Sequence, residues 1–269
     1  MLGLPRRAKA SAFDERAGMD FTFVIPLRSA KVSSNWERVN RLLEATVGSA
    51  LASRDANVRV VIACDEVPSI YQQNDPRVIF LSKAYPVPET SAHQMLDKRF
   101  KKFDLVNFVL RGGGGYMMLL DSDDLVSNKL ASFTLDNDNR RGYLIDKGHI
   151  LDVKSQEIET VADFDRRCGS SAIFYLDSAD ADSSFNWPLY ITVTQHQDFS
   201  RLSKNTPRTL DPIPFAAAIA LKNNGENHSY RFGGKGKVSI KRRAMNFLRR
   251  REARYLSVEA AQEFGMVGR

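Results

Sequence analysis

Residues 112–124, GGGGYMMLLDSDD, restrict what this chain can fold into more than any other stretch. Tyr116 to Leu120 form a short apolar run that stops at three carboxylates, Asp121, Asp123 and Asp124. An apolar run of that length, bounded by glycines and acids, predicts a buried strand of an α/β sheet. Such sheets bind ligands in the crevice outside the carboxyl ends of their strands. Acids placed there are hard oxygen ligands for Mg²⁺ or Mn²⁺, and such an ion can hold a diphosphate. The glycines precede the strand instead of joining a strand to a helix. They lack the context of a phosphate-binding loop and predict a flexible lead into the strand.

A strand that ends in a solvated acidic turn would carry the same pattern. A second acidic run, Asp177, Asp180 and Asp182, also competes for the ion. It follows the apolar run Ile173 to Leu176, but its acids are spread through serine and alanine in a loop-like segment.

The rest of the chain predicts alternating strands and helices. FTFVIPL, Phe21 to Leu27, reads as an opening strand. Asn35 to Ala52 has helical periodicity, with Ser34 as the predicted N-cap and Glu37 three residues on. VRVVIA, Val58 to Ala63, reads as a second strand ending at Cys64-Asp65-Glu66, and Val78 to Leu81 as a short third. Ala92 to Phe103 predicts a second helix, followed by a weaker segment to Leu110. This order predicts a mainly parallel sheet with right-handed crossovers. In the second half, Gly142 to Asp146, His149 to Val153 and Ala172 to Leu176 are strand-like, and Pro214 to Leu221 is a short apolar run with helical character.

At 269 residues and 43% apolar, the chain can build one large α/β domain with extensions. No stretch approaches the roughly 20 apolar residues of a membrane-spanning helix. Residues 1–19 carry Arg6, Arg7 and Lys9 without the apolar core of a secretory signal, and read as a mobile tail. Cys64 and Cys168 lack paired metal-ligand spacing and read as buried reduced thiols, which suits the cytoplasm. The net charge of +7 is concentrated late, with nine lysines and arginines between Lys235 and Arg254 against the single acid Glu252. Ile240, Ala244, Phe247, Leu248 and Leu256 lie among them. That pattern predicts a basic amphipathic helix, set on an anionic membrane surface or packed on the domain by its narrow stripe.

The D-S-D-D string resembles the D-x-D signature of GT-A glycosyltransferases, in the form carried by the family-2 type. The resemblance covers roughly residues 20 to 200 in order of elements. FVIPLR, Phe23 to Arg28, is similar to the family's opening strand, whose end approaches the nucleotide. VVIACDE puts Asp65 where the family often has an acid reading the uracil or ribose. HQDF puts Asp198 about where family members carry a catalytic base, although the commoner pair there is Glu-Asp. The resemblance implies an α/β fold: a single GT-A domain over residues 20–232 with a mainly parallel central sheet. A tail at 1–19 precedes it and a basic helical extension at 233–269 follows.

The same resemblance implies transfer of a sugar, with inversion, from a nucleotide-sugar to a glycan or lipid-linked acceptor, with a UDP-sugar as the favoured donor. It implies that Asp123 and Asp121 hold Mn²⁺ or Mg²⁺, that Asp121 also serves the ribose, and that His228 is a late third ligand. Arg28 would meet phosphate, Asp65 the nucleoside, and Asp198 would act as base. Asp124 is expected to cap the following turn or orient its neighbours. His196, two residues before Asp198, is expected to orient that carboxylate or contact the acceptor. His93 is expected near a helix start, and His149 in a structural role. The location implied is cytoplasmic, peripheral on the inner face of the plasma membrane through the basic run, with no nucleic-acid partner. Two other readings share these features. A nucleotidyltransferase acting on sugar phosphates also sets acids and a metal against phosphates, but FVIPLRSAKVSS lacks the glycine-rich loop it normally uses. A non-catalytic basic binding protein on a degenerate transferase fold has no aromatic-rich RNA-binding strand to support it.

Overall fold

A strand that is apolar on both faces has to be covered on both, and β1 (Phe21–Pro26) is sandwiched between two helices. Phe21, Phe23 and Ile25 share a core with Val39, Leu43 and Val47 of α1 (Trp36–Leu51). Val24, pointing the other way, shares a second core with Leu105, Val106 and Val109 of α2 (Ser91–Arg111). Each such side chain, fully buried, contributes about 1.5–3 kcal/mol relative to exposure. The computed structural model describes residues 21–54, 56–181, 184–226 and 257–266.

β1 pairs in parallel with β2 (Val58–Cys64) on one side and with β4 (Gly114–Leu119) on the other, and β2 pairs in parallel with β3 (Val78–Ser82). The later strands are β5 (Asp124–Val126), β6 (Tyr143–Leu144), β7 (Gly148–Asp152), β8 (Glu157–Val161), β9 (Ala172–Asp177), β10 (Asp211–Pro212) and β11 (Ala218–Lys222). The helices among and after them are α3 (Leu130–Asn137), α4 (Trp187–Val193), α5 (Phe199–Leu202) and α6 (Val258–Glu263). The main sheet has the order β10-β6-β9-β4-β1-β2-β3, and a four-stranded sheet has the order β5-β11-β7-β8. In the main sheet β9 runs against β4 and β6, while the other described pairings are parallel. The fold is α/β with a mostly parallel, mixed central sheet. From β1 the chain steps outward to β2 and β3, then returns to place β4 on β1's other flank. The order reverses between β1 and β4, which opens a crevice at their carboxyl ends.

Several local expectations change. Ala218–Lys222 is the strand β11, where helical character was expected. Its alanines favour helix, but so short a run cannot sustain one alone, and pairing with both β5 and β7 overrides propensity. The N-cap of α1 is Asn35, whose side chain accepts the Arg38 N–H, because the Ser34 hydroxyl is drawn to Glu226. α2 does not weaken after Phe103; it runs from its Thr90 cap to Gly112. Cys64 and Cys168 are buried free thiols, as expected. The glycine run leads from α2 into β4, with Gly112 and Gly113 in the turn and Gly114 and Gly115 opening the strand. Gly113, Gly114 and Gly115 all have positive φ, and a Cβ at Gly114 would overlap the Leu176 carbonyl oxygen of β9. His93 sits in the first turn of α2, its N–H on the Thr90 hydroxyl. His149 lies on β7, its Nδ1 2.9 Å from the Thr160 hydroxyl. The extension expected from residue 233 falls mostly outside the described residues, and its described part, 257–266, packs on the body of the protein through Phe264.

Candidate functional site

The crevice at the reversal is floored by the segments just past β1 and β4. Arg28 lies just beyond β1, and Asp121, Ser122 and Asp123 come just after β4. All of them line one cleft of about 430 Å³, within the usual size range of small-molecule sites. The acids are fixed from behind. The Asp121 N–H donates to Ser170 Oγ at 2.8 Å, and that hydroxyl donates to Asp124 Oδ2 at 2.6 Å. Cys168 Sγ donates to the same oxygen at 2.9 Å. Gly169 leaves room for the Asp121 carboxylate, since a Cβ there would stand 2.5 Å from Asp121 Oδ2 and would push that side chain aside. Asn224 Nδ2 donates to Asp123 Oδ2 at 2.7 Å. Cys168, Gly169, Ser170 and Asn224 are site residues that sequence reasoning missed. They stand between 44 and 101 positions from the acids they hold, and the C-G-S-S cluster before β9 was the only local signal. Of the two roles expected of Asp124, orienting its neighbours is the one its contacts describe.

Crowding of like charges sets the site's electrostatics. Burial, with the charges of Asp123 and Asp121, pushes Asp124 well above the usual carboxylate range. Burial and Asp121 also push Asp123 up, against the Asn224 hydrogen bond and the charges of Lys98 and Arg28. Asp121 goes the other way. Burial pulls it up, but Lys98 Nζ at 2.6 Å, with Lys102 and His196 beyond, holds it below its ordinary value. Lys98 thus favours the charged form of Asp121, while burial and the Asp121 charge disfavour that of Asp123, which a further cation in the cleft would offset.

Cations wall the same cleft. Lys98 and Lys102 stand one turn apart on α2, and Arg167 comes from the turn before β9. Lys102 is lowered to about 8 by burial first and by Lys98 next, with Arg99 adding and Asp121 opposing. Arg28 Nη1 donates to Glu226 Oε2 at 2.8 Å. Glu226 also accepts the Ser34 hydroxyl and, at 3.0 Å, the Asn35 N–H at the start of α1. His196 lines the cleft, and burial lowers it below the ordinary histidine value against the pull of Asp121, which favours the neutral imidazole.

The remaining expected residues lie elsewhere. Asp65, at the end of β2, is not among the residues lining the cleft. Its carboxylate takes Lys101 Nζ at 2.6 Å; the fully buried Lys101 also binds Asp97 at 2.9 Å and lies over the Tyr85 ring. That buried ionic cluster ties α2 to the end of β2. Asp198 is likewise off the cleft and accepts Arg201 Nη2 at 3.0 Å. The tight turn His196–Asp198 sends successive side chains in different directions, and it is His196 that reaches the site. In the competing acidic run, Asp180 is held by Arg208 through two bonds of 2.7 and 3.0 Å. Asp177 pairs in register with Gly114, at the amino end of β4. Antiparallel β9 thus delivers that run to the opposite end of the sheet from Asp121. Asp182 and His228 lie outside the described residues.

Among the described residues no three or more His, Cys, Asp or Glu side chains form a metal cage. A Mg²⁺ held together with a diphosphate needs none, because it uses one or two carboxylates plus phosphate oxygens and water. Asp121 and Asp123 fit that pattern: they are adjacent, hard, line a polar cleft, and carry a surplus of crowded negative charge. Fold and site together define an α/β protein with a crevice of mixed acids and cations at the switch point of its sheet. No protein-family model matches the chain, and no curated protein is significantly similar to it.

Proposed function

We propose that this protein is a glycosyltransferase that takes its sugar from a nucleoside-diphosphate sugar, a UDP-sugar by preference, in a metal-dependent reaction. The observation that carries the reading is the placement of Asp121 and Asp123 at the β1–β4 switch point, facing a cleft walled by Arg28, Lys98 and Lys102. Asp123 and Asp121 would hold Mn²⁺ or Mg²⁺, which when bound supplies Lewis-acid stabilisation to the departing diphosphate. Lys98 and Lys102 add positive charge where negative charge grows as the glycosidic bond breaks. The acceptor hydroxyl must lose a proton. His196, in the cleft and with burial favouring its neutral form, takes in this proposal the role that the resemblance assigned to Asp198. The acceptor is a glycan or a lipid-linked glycan. The test is calorimetry of UDP with and without Mn²⁺. Wild type should bind UDP in a Mn²⁺-dependent way, and Asp123→Asn should lose about tenfold or more of that affinity with its fold intact. Metal-independent binding, or an unchanged affinity in the variant, would overturn the assignment.

A further inference from the structure

The apolar side chains of α2 that face away from the core form one stripe. Leu96, Phe100 and Phe103 are spaced i, i+4, i+7 and are 45%, 51% and 45% exposed. The opposite side of the helix, with Leu105 and Val109, is buried, so the stripe is not the helix's inward face. Arg99 and Lys102 fall between the stripe and the cleft, and both line the cleft. α4 packs against α2 and leaves Leu189 and Val193, one turn apart, half exposed. Val193 also lines the cleft. Single exposed apolar residues are ordinary, but an apolar row with cations beside it, at the mouth of a cleft, marks an interaction surface.

We propose that this face of α2 and α4 docks on the surface of an anionic phospholipid bilayer, turning the mouth of the cleft toward the membrane. Leu96, Phe100 and Phe103 would enter the boundary between head groups and acyl chains, while Arg99, next to the stripe, meets lipid phosphates. A second copy of the chain fits this face poorly. A two-fold contact through the stripe would set the cations beside it near their own copies, where like charges repel. The inference goes beyond the transferase reading, since bilayer docking requires no donor.

The full chain tests it, with residues 235–254 kept in place. Phe100→Trp should report insertion as a blue shift of the added emission with vesicles of phosphatidylglycerol and phosphatidylcholine, and none with phosphatidylcholine alone. The triple variant Leu96→Ser, Phe100→Ser, Phe103→Ser should co-sediment with the anionic vesicles about tenfold more weakly. Its thermal midpoint and its Mn²⁺-dependent UDP binding, measured without vesicles, should match wild type. An absent blue shift overturns the proposal. So does equal sedimentation of the triple variant and wild type, which would leave the basic run as the anchor. Self-association through the stripe without vesicle binding overturns it as well.

Discussion

Lys102 is a cleft cation whose chemistry departs from its ordinary behaviour. Lys98, Arg99 and Asp121 are the charged groups acting on it, and with burial leading they bring it to about 8. Above that value the free protein holds Lys102 neutral, and a bound diphosphate would pull the proton back on. UDP affinity should therefore fall as pH rises through about 8, by up to about tenfold per pH unit. Binding near pH 8 should also take up a proton, visible by calorimetry in two buffers of different ionisation enthalpy. Lys102→Met should flatten the profile, and a wild-type profile already flat across that range would remove Lys102 from the phosphate subsite. At this scale the strand-end residues were legible. Arg28, Asp121 and Asp123 sit where a strand's carboxyl end has to put them. Asp65 and Asp198 were not legible, because which way a turn carboxylate points is decided by the nearest cation. Those cations are Lys101, on another element, and Arg201, one turn on.

The pairing of β4 with β9 does two things at once. It closes the half of the main sheet that holds Asp121, and it carries the competing acids to the far end. Gly114 makes it possible, with φ of +84° and no room for a Cβ against Leu176. Gly114→Ala should cost at least about 2 kcal/mol in urea denaturation, from left-handed strain plus the clash. Because β4 also sets Asp121, the folded variant should bind UDP more weakly. A variant as stable as wild type would mean that the β4–β9 approach is loose. Elements with strong apolar runs were legible by pattern: β1, β2, β3, β4, β7 and β9 lie where alternation or continuous apolar runs predict them. β5 and β8 gave no clear signal. The strand β11 was misread because its alanines carry helix propensity, and only neighbours on both sides make it a strand.

Across the whole molecule, the chain's last described segment closes the small sheet. Phe264, just past α6, is buried with Leu125, Leu151, Ile158, Ile219 and Leu221, and His149 meets its ring edge-on at 5.7 Å. Glu263 takes the Ser127 hydroxyl at 2.6 Å and Lys129 at 2.7 Å. Phe264→Ala should destabilise the protein by about 3 kcal/mol or more, read as a lower urea midpoint with an unchanged slope. A loss under about 1 kcal/mol would show the segment to be dispensable, as a free-standing extension would be. By itself the sequence determined the α/β class, the opening strands and helices, and an acidic strand end at the centre of the sheet. These follow from the local periodicity of apolar residues, and each stretch carries its own. The tertiary structure decided the rest. It placed Cys168, Ser170 and Asn224 behind the acids, gave Lys98 to Asp121, turned His196 into the cleft and Asp198 away, and folded Phe264 back on the small sheet. Those contacts join residues far apart in the chain, and no local pattern encodes the partner a polar side chain will meet.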